Sequence, residues 1–329
     1  MKPTILKVGI VGTFAASLEG AIRRNLAIPC EIVAPDEDRI IARLADIDVL
    51  VTMGLTGEMG RACRCLKLVP VPGAGLDRID RAALPRGARL ANVYGHENGI
   101  AEYAIGAMLA LTRDFVRLDA ALRKADWQSQ WAIGAAPPPA WPELAGKTIG
   151  ILGYGRIGQA VARRVRAFDM NVLAVRQNVR RSVGEDDVAF LGGPESTDEV
   201  IARSDYVLIS MPATRDTVGL MDRRRLGLMK PAAFLINVAR AEIVDEDALY
   251  DALSERSIAG AALDVWYRYP HAPGLSPPAT RPFHDLPNVL MTPHVSGWTD
   301  GMLDARAKLI AENIRRVAHC ETPLNLVDP

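Results

Sequence analysis

The sequence predicts an α/β protein made of two doubly wound parallel-sheet domains, and three features carry that prediction. The first is Gly150-Ile151-Leu152-Gly153-Tyr154-Gly155-Arg156-Ile157-Gly158, an apolar strand that runs into a glycine-rich turn and then a helix. The second is a series of short apolar runs alternating with helical stretches, which occurs twice along the chain. The third is Ala135-Ala136-Pro137-Pro138-Pro139-Ala140-Trp141-Pro142, a stiff connector between the two series that no helix accommodates. A length of 329 residues suits two domains better than one.

In the first series, strands are expected at Leu6–Val11, Glu31–Val33, Val49–Val51, Leu68–Val71 and Leu90–Val93. Strands alternating with helices imply a parallel sheet covered on both faces. The opening of the chain, with Lys2, Lys7 and the run Val8–Leu18, superficially resembles a signal peptide. Leu6–Val11 followed by the helical spacing Leu18-Ile22-Leu26 fits strand-then-helix better, and that reading is adopted. An Ala-rich stretch without proline predicts one helix from Gly99 to Leu122.

The second series places strands at Thr148–Leu152, Asn171–Val175, Tyr206–Ile209, Phe234–Val238, Ala261–Val265 and Val289–Met291. Ser196-Thr197-Asp198-Glu199 reads as a capping box that opens a helix. Pro270–Pro282 is long and proline-rich for a loop, which suggests a functional cover. A last helix is expected over Gly301–Ala318.

Lys+Arg and Asp+Glu both number 39, so there is no electrostatic footprint for nucleic acid or an anionic membrane. No apolar run is long and charge-free enough to span a bilayer. Cys63 and Cys65 sit too close for the usual zinc spacing, and no metal site is expected. Four cysteines read as free thiols in a reducing, cytoplasmic setting.

Gly153, Gly155 and Gly158 fall at G-x-G-x-x-G spacing, and Ile157, Val161, Val165 and Phe168 continue one helix face. Such glycines give a tight turn, close backbone approach to a pyrophosphate, and close packing of helix on strand. The helix N-terminus adds free N–H groups for the phosphates. The segment from Gly153 through Tyr154, Gly155, Arg156 and Ile157 to Gly158 is therefore the expected dinucleotide site. An NAD-type site usually carries Asp or Glu at the end of the second strand. Here Asn171–Val175 is followed by Arg176-Gln177-Asn178-Val179-Arg180-Arg181. Arginines such as Arg176, Arg180 and Arg181 can pair with a 2′-phosphate, so NADP(H) is expected, with NAD(H) as the alternative.

Four blocks resemble the D-isomer-specific 2-hydroxyacid dehydrogenases, a family related to formate dehydrogenase and to glyoxylate and hydroxypyruvate reductases. They are Pro72-Gly73-Ala74-Gly75-Leu76-Asp77, the glycine fingerprint, Asn237-Val238-Ala239-Arg240, and Leu263-Asp264-Val265 with the later Thr292-Pro293-His294. The resemblance covers nearly the whole chain. It implies a flavodoxin-like substrate domain of residues 1–98 and 299–329 and a Rossmann dinucleotide-binding domain of residues 99–298, with the active site in the cleft. It implies hydride exchange between a nicotinamide and a small 2-oxo or D-2-hydroxy acid, and a homodimer that involves the Gly99–Leu122 helix.

By the same resemblance, Arg240 holds the substrate carboxylate and polarises the keto oxygen, and its fork suits a carboxylate. His294 is the acid in reduction and the base in reverse, which its near-neutral pKa allows. Backbone N–H groups around Ala74 and Gly75 grip the carboxylate. Tyr94 and His96 precede a cleft-facing segment, and His96 is a candidate for a polar or anionic substrate tail. Asp264 is expected on the nicotinamide side, and Pro212, Thr217, Val238, Ala239 and Ser296 around the cofactor. Ala74 stands where phosphite-oxidising relatives have lysine, which argues against phosphite.

One position departs from the pattern. The family normally has a glutamate five residues beyond the aspartate of the Leu-Asp-Val block, and here that position is Tyr269. A neutral partner orients an imidazole without stabilising its cation. His294 should therefore be less basic than in glutamate-containing relatives, and 2-oxo acid reduction should fall off at lower pH. Formate dehydrogenases also lack that glutamate and carry tryptophan after Asp-Val, as Trp266 does here. Formate-type oxidation and a dinucleotide-binding regulator with little turnover stay open as alternatives.

Overall fold

The computed structural model describes residues 5–34, 40–134, 136–179 and 188–327. It divides into two compact units, Met1–His96 with Trp298–Pro329, and Glu97–Gly297.

The first unit carries β1 (Leu6–Val11), β2 (Cys30–Val33), β3 (Val49–Thr52), β4 (Leu68–Val71) and β5 (Arg89–Asn92). They lie parallel in the order β2-β1-β3-β4-β5, the flavodoxin-like arrangement. Leu326–Val327 adds an antiparallel edge strand beside β5, which pattern reading did not anticipate. A two-residue strand has no periodicity of its own, and here it is fixed from outside. Buried Asn313 donates from Nδ2 to the Leu324 carbonyl (3.2 Å) and accepts the Leu324 N–H at Oδ1 (2.7 Å). Asn313 belongs to the helix Asp300–Ala318, capped by Thr299, whose hydroxyl oxygen accepts the Met302 N–H. That helix buries Ala307, Ile310 and Ile314 against Leu18 and Ile22 on one face of the sheet.

The second unit carries β6 (Thr148–Leu152), β7 (Asn171–Val175), β8 (Phe190–Gly192), β9 (Tyr206–Ile209), β10 (Phe234–Asn237), β11 (Gly260–Leu263) and β12 (Val289–Met291). All are parallel, in the order β12-β11-β10-β9-β6-β7-β8. The order reverses between β6 and β9, so a topological switch point lies at the C-terminal end of β6. Side chains alternate across β6: Ile149 and Ile151 enter one core, Leu152 the other. Fully burying side chains of this kind stabilises by about 1.5–3 kcal/mol each.

Two local expectations are corrected. The helix expected over Gly99–Leu122 is two helices, Glu97–Thr112 and Phe115–Leu122. The break is at Asp114, left-handed at φ 51°, a conformation that a short polar side chain tolerates. Ser196 makes no capping bond, because a 3-10 turn over Pro194–Ser196 runs straight into the helix Thr197–Arg203. Ser196 therefore lacks the extended backbone an N-cap needs (φ −88°, ψ 2°). Strand β8, also unexpected, is three residues long and pairs at the far edge, too short for a period to show. The segment Pro270–Pro282 lies against its own unit: Arg268 N–H donates to the Pro278 carbonyl, and Arg281 N–H to Glu246 Oε1.

Candidate active site

The turn after β6 has the geometry of a dinucleotide cradle. Gly153 sits at φ +107°, and a Cβ there would lie 2.5 Å from the Met211 backbone nitrogen, so only glycine fits. A Cβ on Gly158 would meet the Gly153 carbonyl oxygen at 2.7 Å, which lets the helix Arg156–Val165 press onto the turn. A Cβ on Gly155 would meet nothing within 4 Å, the open space a pyrophosphate needs. No acidic residue occupies the first turn of that helix, and no side chain caps its N-terminus. These features fit a dinucleotide.

Tyr154 is buried in the core, Ile157 packs against it, and Arg156 is exposed. At the end of β7, Arg176 N–H donates to the Gly192 carbonyl (3.1 Å) and its side chain is half-buried. Arg180 and Arg181 lie outside the described residues. After β9, the Thr217 hydroxyl donates to the Pro212 carbonyl (2.7 Å) and accepts the Thr214 N–H (2.8 Å), which closes that loop. Val238 and Ala239 are buried, their side chains in the cores on either side of the sheet.

Arg240 follows β10 at its C-terminal end. The Asn237 side chain braces this turn, accepting Ala239 N–H at Oδ1 (3.1 Å) and donating from Nδ2 to the Arg240 carbonyl (3.0 Å). Arg240 Nη1 donates to the Ala239 carbonyl at 2.8 Å.

His294 follows β12 and is exposed, with a left-handed backbone at φ +57°. Several groups brace its loop. Asp264, wholly buried after β11, accepts the Thr292 hydroxyl (2.6 Å) and Val295 N–H (2.9 Å) at Oδ1, and Ser296 N–H (2.9 Å) at Oδ2. Because Thr292 gives its hydrogen to a carboxylate, it accepts the Tyr103 hydroxyl at 2.7 Å. Burial pushes the Tyr103 phenol up to about 12, so it remains a donor. Trp266 Nε1–H donates to the Thr292 carbonyl at 2.8 Å.

Tyr269 stands beside the imidazole, with Oη 2.6 Å from His294 Nδ1. Burial raises the Tyr269 phenol above its ordinary value; the Trp266 N–H and the Arg240 charge pull it the other way. The group stays a neutral hydroxyl through the physiological range. Asp264, expected on the nicotinamide side, braces with its carboxylate the loop that carries His294. Trp266, noted from the sequence as a formate-dehydrogenase-like feature, and Thr292, part of the Thr292-Pro293-His294 block, both brace this loop, while Tyr103 reaches it from a distant helix and carries no local signal.

In the first unit, Ala74 and Gly75 form a half-buried turn after β4, and Asn92 Nδ2 donates to the Ala74 carbonyl at 2.6 Å. Tyr94 is half-buried and His96 almost fully buried on the segment leaving β5. Among the described residues, no cluster of His, Cys, Asp and Glu could hold a metal, and no helix is long and apolar enough to cross a membrane.

Residues 105–296, more than half of the chain, match the model of the D-isomer specific 2-hydroxyacid dehydrogenase NAD binding domain. A glyoxylate reductase of Pyrococcus furiosus is 36% identical over 299 residues, covering 88% of this chain and 85% of that protein. Among solved structures, the acyclic imino acid reductase Bsp5 in complex with NADPH and D-Arg superposes at a TM-score of 0.80 with 26% identity, over 98% of this chain and 100% of that one. A D-isomer specific 2-hydroxyacid dehydrogenase from Xanthobacter autotrophicus Py2 with NADPH and MES gives the same TM-score of 0.80 at 26% identity, covering 98% of each chain. With a glycine cradle after β6, an arginine after β10 and a braced histidine after β12, the chain belongs to the D-isomer-specific 2-hydroxyacid dehydrogenase family, NAD(P)-dependent oxidoreductases acting on 2-oxo and 2-hydroxy acids.

Proposed function

We propose that this protein reduces a small 2-oxo acid to the D-2-hydroxy acid with NADPH, as a glyoxylate or hydroxypyruvate reductase does. The observation that carries the reading is the pair of strand-end groups in one sheet, Arg240 after β10 and His294 after β12, with its ring bonded to Tyr269. A bound nicotinamide supplies the hydride. Arg240 would take the carboxylate on its guanidinium fork and polarise the keto oxygen, and His294 Nε2 would deliver the proton. The Ala74–Gly75 turn is proposed as a carboxylate-binding element of the first unit. The test is the initial rate of NADPH and NADH oxidation with glyoxylate, hydroxypyruvate, pyruvate and phenylpyruvate. Turnover by any pair supports the reading and ranks the pocket by size. Silence with all of them overturns it in favour of formate-type oxidation or a regulator.

NADPH preference rests on Arg176 at the end of β7, where no carboxylate follows the strand. Arg176→Asp should raise KM for NADPH by roughly 10- to 100-fold, the loss of a charge-assisted contact, and leave NADH unchanged or improved. Equal response of the two cofactors would demote Arg176 to a solvated loop residue.

A homodimer is proposed through the arm after the first helix of the second unit. Phe115, Val116, Leu122, Trp127, Trp131 and Ile133 are all exposed along this stretch of chain, a density of large apolar side chains that calls for a partner. Trp131→Glu should shift the sedimenting species from dimer to monomer; an unchanged dimer would place the interface elsewhere. A cytoplasmic location is consistent with the four free thiols.

A further inference from the structure

We propose that Tyr269 is a positioning residue that fixes the tautomer of neutral His294, keeping the ring proton on Nε2. The ring then continues to offer the substrate oxygen a hydrogen bond after it can no longer deliver a proton. The inference rests on the reading of His294 as the group facing the substrate oxygen.

One hydrogen bond of fixed direction and one short contact carry it. Tyr269 Oη accepts the backbone N–H of Trp266 at 3.4 Å, and a backbone N–H can only donate. With that lone pair engaged, the phenolic hydrogen is free to point at His294 Nδ1, 2.6 Å away. A neutral imidazole that accepts at Nδ1 carries its hydrogen on Nε2. The opposite arrangement, which the imidazolium adopts, brings two donors to Oη and turns the phenolic hydrogen away from the ring; proton loss lets that hydrogen return to Nδ1.

The surrounding charges leave this polarity in place. Burial pushes Tyr269 towards the phenol and outweighs the Trp266 N–H and the Arg240 charge, which pull it towards the phenolate; Asp264 and Glu242 add to the push. Asp264 also holds the backbone N–H groups of Val295 and Ser296, which follow His294, and Tyr103 reaches the loop through Thr292. A carboxylate at position 269 would do the reverse. It would take a hydrogen from Nδ1 and turn the Nε2 lone pair outward in the neutral ring. Residue 269 thus decides whether the neutral imidazole meets the substrate as donor or acceptor.

The two cases differ in how binding and turnover respond to pH. The keto oxygen of a 2-oxo acid only accepts. In the wild type, proton loss weakens its bond from charge-assisted to neutral without abolishing it, while kcat falls with the imidazolium. Oxamate, an unreactive 2-oxo acid analogue, should therefore inhibit the NADPH complex with a Ki that changes less than about fivefold between about pH 6 and 9. In Tyr269→Glu, two acceptors would face each other once the ring is neutral, and Ki should climb about tenfold per pH unit above the ring pKa. Ring 15N NMR of the wild-type NADPH complex, with His294→Asn to assign the signal, gives a reading independent of the variant's folding. A pyrrole-type Nε2 and a pyridine-type Nδ1 are expected. An Nδ1–H pattern, or a wild-type Ki that climbs with pH, overturns the proposal. Undiminished reduction by His294→Asn would instead overturn the role of His294 itself.

Discussion

Arg240→Ala is expected to lower kcat/KM for 2-oxo acid reduction by roughly a thousandfold, with NADPH affinity within about twofold of wild type. The guanidinium is asked to do two things: to neutralise the substrate carboxylate and to stabilise charge that develops on the keto oxygen. The second exists only in the transition state, so kcat should fall as well as substrate affinity. The backbone here is held by the Asn237 side chain, which bonds Ala239 N–H and the Arg240 carbonyl whatever side chain stands at 240. The loss should therefore be chemical, with the melting temperature little changed. Arg240→Lys keeps the charge but not the fork and should recover only part of the rate. Steady-state kinetics with the best 2-oxo acid and a thermal melt check both statements. An alanine variant with kcat near wild type would remove Arg240 from the chemistry.

His294→Asn is expected to lose roughly 10²- to 10⁴-fold in kcat for reduction. Asparagine is the right probe because residue 294 is left-handed at φ +57°, where most side chains introduce strain. The loop should stay in place, since Asp264 holds its neighbours Val295 and Ser296 and not the imidazole. The pH profile gives a second readout. Reduction consumes a proton, so the wild-type rate is full where the ring is cationic and falls as pH rises through its pKa. With a neutral phenol as partner, that fall should begin at lower pH than with a carboxylate. The variant should have neither the rate nor the fall. A residual activity that keeps the wild-type pH dependence would assign the titration to another group.

Much of this was legible along the chain because its signals are local. Strand–turn–helix order, glycine spacing and alternating apolar runs each need only neighbouring residues, and they place Gly153, Arg240 and His294 at strand ends. The short elements were not legible. β8 and Leu326–Val327 have too few residues to show a period, and the second exists because Asn313 holds the tail from a distant helix. The break at Asp114 gave no proline or glycine signal; it rests on an aspartate accepting a left-handed backbone.

The side-chain chemistry of the site divides along the same line. Which residue types stand at positions 240, 269 and 294 is a matter of sequence, and so is the absence of glutamate beside the histidine. Where their hydrogens go is not. The Asp264 carboxylate meets Thr292, Val295 and Ser296, and Tyr269 stands between the Trp266 N–H and His294 Nδ1. Those partners are mostly about thirty residues apart along the chain, on loops leaving two adjacent parallel strands. Strand register brings them together, and a buried carboxylate or phenol then bonds with whichever donors and acceptors that register delivers.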